Sequence, residues 1–190
     1  MNKQLIIIDD FYEDPDDVRK NALASTFDVV GNYPGKRTGS VDKEQHGYLK
    51  KFFEDKVVGA PITYWPEGYN TSFQYTTESD TSWIHHDNTL WAAILYLSPD
   101  ADPEAGTAMY RHKETGIDEW DGDDDSPSDF NHTDILGPGS RNLWEESIKV
   151  SNKYNRLVCY RGYQYHSSMK AGFGKGKEDG RLFQTFFFNT

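Results

Sequence analysis

A single cysteine in 190 residues rules out an intramolecular disulfide, so no bridge framework holds this chain together and a reducing compartment is expected. Cys159 sits among Leu157, Val158 and Tyr160, the setting of a buried, inert thiol. Long apolar runs are equally scarce. Leu5, Ile6, Ile7 and Ile8 make a stretch far too short for a signal-peptide core and give way at once to Asp9 and Asp10, and no later stretch could span a bilayer. A soluble, cytoplasmic protein with no membrane partner is expected. Positive charge is outnumbered, 20 Lys and Arg against 31 Asp and Glu, and the net charge of -11 repels phosphate backbones over most of the surface. Lys170, Lys175 and Lys177 form only a modest basic cluster, so nucleic acid is not expected as a substrate. Apolar residues make up only 36% of the chain, yet 12 Tyr, 11 Phe and 5 Trp bury much area each, so an aromatic-rich core is expected rather than disorder.

Residues 4 to 8 read as a strand, and Asp14 before Pro15 reads as an N-cap with proline at the first helical position, opening a helix through about Ala24. A second helix is marked by Leu49, Phe52, Phe53 and Lys56, with Gly59 as its stop. After Pro61 the pattern changes to short strands: Ser72 to Thr77, with Phe73 and Tyr75 on one face, then Leu90 to Leu97, Ala108 to His112, Leu157 to Tyr160 and Arg181 to Phe188. A short helix is expected near Asn142 to Ile148. Residues 118 to 129 hold seven acidic residues with Gly122 and Pro127 and read as an exposed loop. Asp121, Asp123 and Asp125 imitate the start of a calcium loop, but Ser126 stands where glycine is needed and His132 where the bidentate glutamate belongs. Helices first, then strands without alternating helices, predict an α+β, mainly β chain whose core is an antiparallel barrel or jelly-roll. We expect one domain over 1–190, with a strand and helices over 1–60 supporting a core over 61–190 that carries an acidic insertion at about 113–150.

Chemistry concentrates at Trp83-Ile84-His85-His86-Asp87-Asn88. On an extended chain positions i and i+2 point the same way, so His85 and Asp87 can share one ion while His86 faces the other side. His132-Thr133-Asp134 repeats the pattern, but without a β-rich run after it and too close to His166 for several strands to intervene. Downstream, Tyr160 to Tyr165 follows an apolar strand and delivers His166, which can complete a two-histidine, one-carboxylate set. Such a facial set leaves positions open and suits ferrous iron, whereas a closed zinc site needs a fourth ligand. Gly180-Arg181 then opens the apolar strand Leu182 to Phe188, and a guanidinium entering such a strand should face a carboxylate.

The order of His-x-Asp, apolar strand, turn, distal histidine and arginine resembles the 2-oxoglutarate/Fe(II)-dependent dioxygenase superfamily, and more closely its prolyl-hydroxylase-like branch, over about residues 70 to 188. Ile94 to Ser98 is similar to the branch's strand ending in Tyr-Leu-Asn, and Ala105-Gly106-Thr107 to its Gly-Gly-Thr turn. The resemblance implies a double-stranded β-helix, a cupin-like jelly-roll, with the N-terminal helices packed on one sheet. It also implies Fe(II) on His85, Asp87 and His166, with 2-oxoglutarate as co-substrate and O₂ as oxidant. Arg181 would hold the co-substrate's distal carboxylate, with Tyr75 and Tyr96 as further co-substrate contacts, and succinate and CO₂ would be released as a substrate is hydroxylated. The paired glycines reduced to Ala105-Gly106, His86 inside the His-x-Asp motif, and the acidic insertion all depart from the branch, so the prime substrate, a small molecule or a protein side chain, stays open. Arg111, Trp83 and Asn88 are candidates for the substrate side, together with Tyr110, His112 and Trp91. The alternative is a non-catalytic jelly-roll module in which the histidines pack or hold another divalent metal.

Overall fold

The computed structural model describes residues 5–41, 43–121 and 140–190. The second His-x-Asp copy at His132 and residues 122–139 of the acidic insertion lie outside them. Strand β1 (Leu5–Ile8) precedes helix α1 (Pro15–Ala24), where Asp14 Oδ1 accepts the Asp17 N–H at 3.0 Å. A two-residue strand β2 (Lys36–Arg37) leads to helix α2 (Lys43–Phe52), which begins earlier than expected and widens into a π-helical turn over Phe53–Val58 before Gly59 ends it. The spacing of its buried residues explains the widening. Leu49, Phe53 and Val57 recur every four positions, and in an α-helix that spacing drifts by about 40° per step. A wider turn keeps Phe53 and Val57 on the buried side.

Strands β3 (Phe73–Thr76), β4 (Trp91–Tyr96), β7 (Leu157–Arg161) and β9 (Arg181–Phe188) join β1 and β2 in a six-stranded sheet of order β1-β7-β4-β9-β3-β2. Strands β5 (Thr107–His112), β6 (Trp144–Val150) and β8 (His166–Ser168) form a second sheet of order β6-β5-β8. All these pairings are antiparallel. The chain is mainly β with few helices.

Alternation along the strands sorts the core into layers. Trp91, Ala93, Leu95, Leu157, Cys159, Leu182, Phe186 and Phe188 pack with Phe11, Ala22, Leu49 and Phe53 from the helical side. Their neighbours Ala92, Tyr96, Val158, Tyr160 and Phe183 turn the other way and pack against Met109 and Val150 of the small sheet. Cys159 is buried and unbridged, and burial raises its thiol pKa, as expected of an inert thiol. Among the described residues, no helix is long and apolar enough to cross a membrane.

The helix expected over Asn142 to Ile148 is instead a 3₁₀ turn at Arg141–Leu143 followed by β6. Pairing with β5 overrides the local pattern, and a register shift sits between Met109 and Tyr110. One extra residue on β6 flips its facing, so Trp144 packs with Ala108 and Tyr110 while Val150 packs with Met109. No single periodicity fits such a strand, and its five middle residues are exposed, which further masks it.

The end of β1 is tied down by Asp9, which takes Arg156 Nε at 2.6 Å on Oδ1, with Arg156 Nη2 at 3.0 Å and Lys153 Nζ at 2.8 Å on Oδ2. The Arg156 and Lys153 hydrogen bonds hold the Asp9 carboxyl below its ordinary value of 3.8. A lowered folded pKa stabilises the fold above the unfolded value and is lost as the pH falls below it. Because Asp9 is partly exposed, Asp9→Asn should cost only about 1 kcal/mol at pH 7. Urea midpoints should show that gap narrowing as the pH falls below 4; a gap unchanged at pH 3 would contradict the assignment.

Candidate metal centre and cavity

The site is built on a backbone pair. His85 N–H donates to His166 O at 3.0 Å and His166 N–H donates to His85 O at 2.8 Å, the reciprocal bonds of an antiparallel bridge. This bridge pins the His-x-Asp segment, which belongs to no longer strand, against β8. Two residues on, Asp87 N–H donates to Gly162 O at 2.7 Å, and Gly162 N–H donates to Leu90 O. The turn after β7 thus fixes the backbone of the carboxylate donor.

One donor atom from each of His85, Asp87 and His166 lies within 4.8 Å of the others. His166 Nε2 is 3.3 Å from Asp87 Oδ2. Metal bonds of about 2.0–2.2 Å put neighbouring donors about 3 Å apart, so this spacing needs little adjustment to close on one ion. Both imidazoles are oriented for the task. His85 Nδ1 faces Trp83 O at 3.0 Å and His166 Nδ1 faces Gln164 O at 2.7 Å. A carbonyl only accepts, so each Nδ1 is the donor there, and each ring turns its Nε2 to the metal side; in the metal-free site His166 Nε2 bonds Asp87, and its proton would leave as an ion binds.

Electrostatics favour the ligating forms. Burial, reinforced by nearby His166, lowers the His85 pKa to about 4, so its imidazole is neutral at pH 7. Burial pushes the Asp87 carboxyl up, but the charge and hydrogen bond of His166, with His85 and His86, more than offset it and hold Asp87 below its ordinary value. Tyr160, whose ring centroid is 4.6 Å from that of His166, is pushed well up by burial and stays a neutral phenol.

The triad opens into a cavity of about 290 Å³, lined among others by Trp83, Gln74, Thr107, Tyr160, Arg37 and Arg181. Arg181 is 2% exposed. Its Nε donates to Ala105 O at 2.8 Å, and its guanidinium lies 4.6 Å from the Phe183 ring and 5.4 Å from the Tyr96 ring. Nη2 is buried with no hydrogen-bond partner. Among the described residues no carboxylate pairs with it, and a buried cation with an orphaned donor is costly unless an anionic guest completes the site.

The structure thus brings His85, Asp87, His166, Arg181 and Trp83 to one cavity. Tyr96 stands behind Arg181, its hydroxyl bonded to Thr107 Oγ1 at 2.7 Å. Six expected contacts, Tyr75, Asn88, Trp91, Tyr110, Arg111 and His112, are not brought there. Tyr75 packs edge-on against Phe27 on the helical side, because β3 turns Gln74, not Tyr75, toward the cavity. Arg111 is exposed and pairs with Asp118 at 3.6 Å, so it has its counter-charge on the surface. Asn88 is exposed and lines no part of the cavity. Trp91 stacks with Phe188 on the helical side, and Tyr110 packs with Trp144. Sequence reasoning missed Arg37 and Gln74. Placing Phe73 and Tyr75 on one face had already assigned Gln74 to the other.

Gly162 is a point of weakness in this construction. A Cβ there would sit 2.1 Å from Thr89 O and 3.3 Å from Asp87 Cβ. Gly162→Ala should cost about 1–3 kcal/mol of stability by overpacking. It should also weaken Ni(II) binding at least tenfold by calorimetry, because relief of the clash moves Asp87; unchanged affinity would separate the turn from the metal site.

Several solved structures share the fold. HygX from Streptomyces hygroscopicus, with nickel, 2-oxoglutarate and hygromycin B bound, matches with a TM-score of 0.59 at 12% identity, over 97% of this chain and 82% of that one. A prolyl hydroxylase from Trichoplax adhaerens, in complex with a hypoxia inducible factor peptide fragment, gives 0.56 at 13%, over 97% and 83%. A Pseudomonas putida prolyl-4-hydroxylase gives 0.52 at 13%, over 97% and 91%. At such identities the likeness concerns the fold. No curated protein matches the sequence. A family of unknown function, DUF6445, matches residues 71–188, a stretch that holds all three candidate ligands and Arg181, and the chain belongs to that family.

Proposed function

We propose that the chain is a non-haem Fe(II)- and 2-oxoglutarate-dependent oxygenase that hydroxylates a small molecule or protein side chain. The observation that carries this reading is one cavity holding both an open two-histidine, one-carboxylate set and a buried arginine with an orphaned Nη2. The donor set fits a ferrous ion with positions to spare, and the arginine fits the far carboxylate of a dicarboxylate co-substrate. The fold shared with HygX, whose crystals hold nickel and 2-oxoglutarate, supports the same reading. In it, the two sheets are the halves of a double-stranded β-helix.

Bound together, iron and 2-oxoglutarate supply oxidising power from O₂, with one oxygen atom going to succinate and the other to the hydroxylated product as CO₂ leaves. The chain's own residues orient and shield. The Trp83 and Gln164 carbonyls hold both Nε2 atoms toward the ion, Asp87 contributes charge, and the guanidinium of Arg181 sets the direction of the co-substrate. Phe183 and Tyr96 keep water from that guanidinium.

Anaerobic addition of Fe(II) and 2-oxoglutarate should produce a visible charge-transfer absorption band, which requires both to chelate at one site. Admitting O₂ should then yield succinate. The absence of a band with both at saturating concentration would leave a metal-binding module without this chemistry.

A further inference from the structure

The cavity holds a second guanidinium that the chemistry above does not use. Arg37 on β2 lines it together with Tyr33, Asn32 and Ser82. Its Nε and Nη2 both donate to Gln74 Oε1, at 2.9 and 2.5 Å. Gln74 is fixed in turn by donating Nε2 to Pro34 O at 2.6 Å. The guanidinium carbon stands 3.9 Å from the Tyr33 ring centroid. The group is therefore held by an amide on one edge and an aromatic face on one side, a preorganised arrangement that costs a guest little ordering entropy. Only two of its five N–H donors are committed to Gln74, and the edge formed by its two terminal nitrogens remains for a planar anion. Among the described residues none of the ion pairs includes Arg37.

Charge balance points the same way. With a divalent ion, a dianionic co-substrate and imidazoles ligating as neutral donors, Asp87 and Arg181 bring the inner site to zero. The charge of Arg37 is then the one left over, in a chain whose surface otherwise carries excess negative charge. Size narrows the choice. A cavity of about 290 Å³ lies at the lower end of ligand pockets, which run from about 300 to 1,000 Å³, and the co-substrate takes part of it.

Resting on the oxygenase reading, we infer that the prime substrate is a small monocarboxylic acid of amino-acid size, its carboxylate gripped by Arg37 and its body lying against Trp83 and toward the metal ligands. Arg37 would then select the substrate, while Arg181 selects the co-substrate.

The test uses the whole chain loaded with Ni(II) and 2-oxoglutarate, titrated by calorimetry and thermal shift. The probes are the L-amino acids and their N-acetyl derivatives, each as the free acid and as the primary carboxamide. At least one free acid should bind at least tenfold more tightly than its own amide, and Arg37→Gln should bring the two within about twofold. The acid-to-amide comparison on the unaltered chain decides the matter even if the variant fails to fold. No binding acid in the panel, equal binding of acid and amide, or a preference that survives Arg37→Gln would each overturn the inference. The anaerobic Fe(II) band, recorded on the same preparation, separates the two levels. No band ends the oxygenase reading, whereas a band without acid preference ends only the assignment of Arg37.

Discussion

Alanine in place of His166 should abolish succinate formation and lower metal affinity at least a hundredfold. Nε2 of His166 lies 3.3 Å from Asp87 Oδ2, and its loss leaves only His85 and Asp87 as protein donors. The damage should extend to a second candidate ligand, Asp87. The charge and hydrogen bond of His166 are the largest influences holding Asp87 below its ordinary pKa against burial. Without them burial favours the protonated carboxyl, which binds metal poorly. Metal content after gel filtration, with circular dichroism to establish that the variant folds, reads this directly. A folded His166→Ala protein that retains one equivalent of Fe(II) at wild-type affinity would sink the three-ligand assignment.

Arg181→Met should give the second large effect, with two readouts of opposite sense. Affinity for 2-oxoglutarate should fall at least a hundredfold, because the far carboxylate loses a charge-assisted partner inside a dry pocket. The apo protein, however, should be as stable as the parent or more so. The guanidinium is buried and, among the described residues, has no carboxylate partner, so a flexible apolar side chain of similar length removes a desolvation cost that the Ala105 hydrogen bond and the Phe183 and Tyr96 rings offset only in part. A purely structural arginine would behave otherwise, its loss lowering the melting temperature while leaving co-substrate affinity alone. Thermal melting and titration of the anaerobic absorption band distinguish the two.

The elements legible in the sequence were those with one dominant signal. Asp14 before Pro15 fixed the start of α1, because capping and a preset proline φ act within three residues. The apolar run of β4 and the start of β9 at Arg181 were equally plain. The candidate ligands were readable because alternation places His85 and Asp87 together on any extended chain, and the turn before His166 follows a recognisable strand. What stayed hidden depends on contacts between distant segments. The bulge that reverses the facing of β6 is set by its partner β5. Arg37 belongs to a two-residue strand whose role is visible only once Gln74 and Pro34 are seen around it. Arg111 was misjudged for the reason that its counter-charge, Asp118, stands in a segment read as loop. Ala105-Gly106, which looked like a weakened turn motif, has a reason of its own: a Cβ on Gly106 would lie 1.9 Å from Val150 O, while Ala105 O receives Arg181.

The reciprocal bonds between His85 and His166 close a chain segment of roughly eighty residues, and the entropic cost of closure grows only with the logarithm of its length. Doubling that span would cost about 0.6 kcal/mol. A change in the length of the intervening chain would therefore carry almost no loop-closure penalty for the paired histidines.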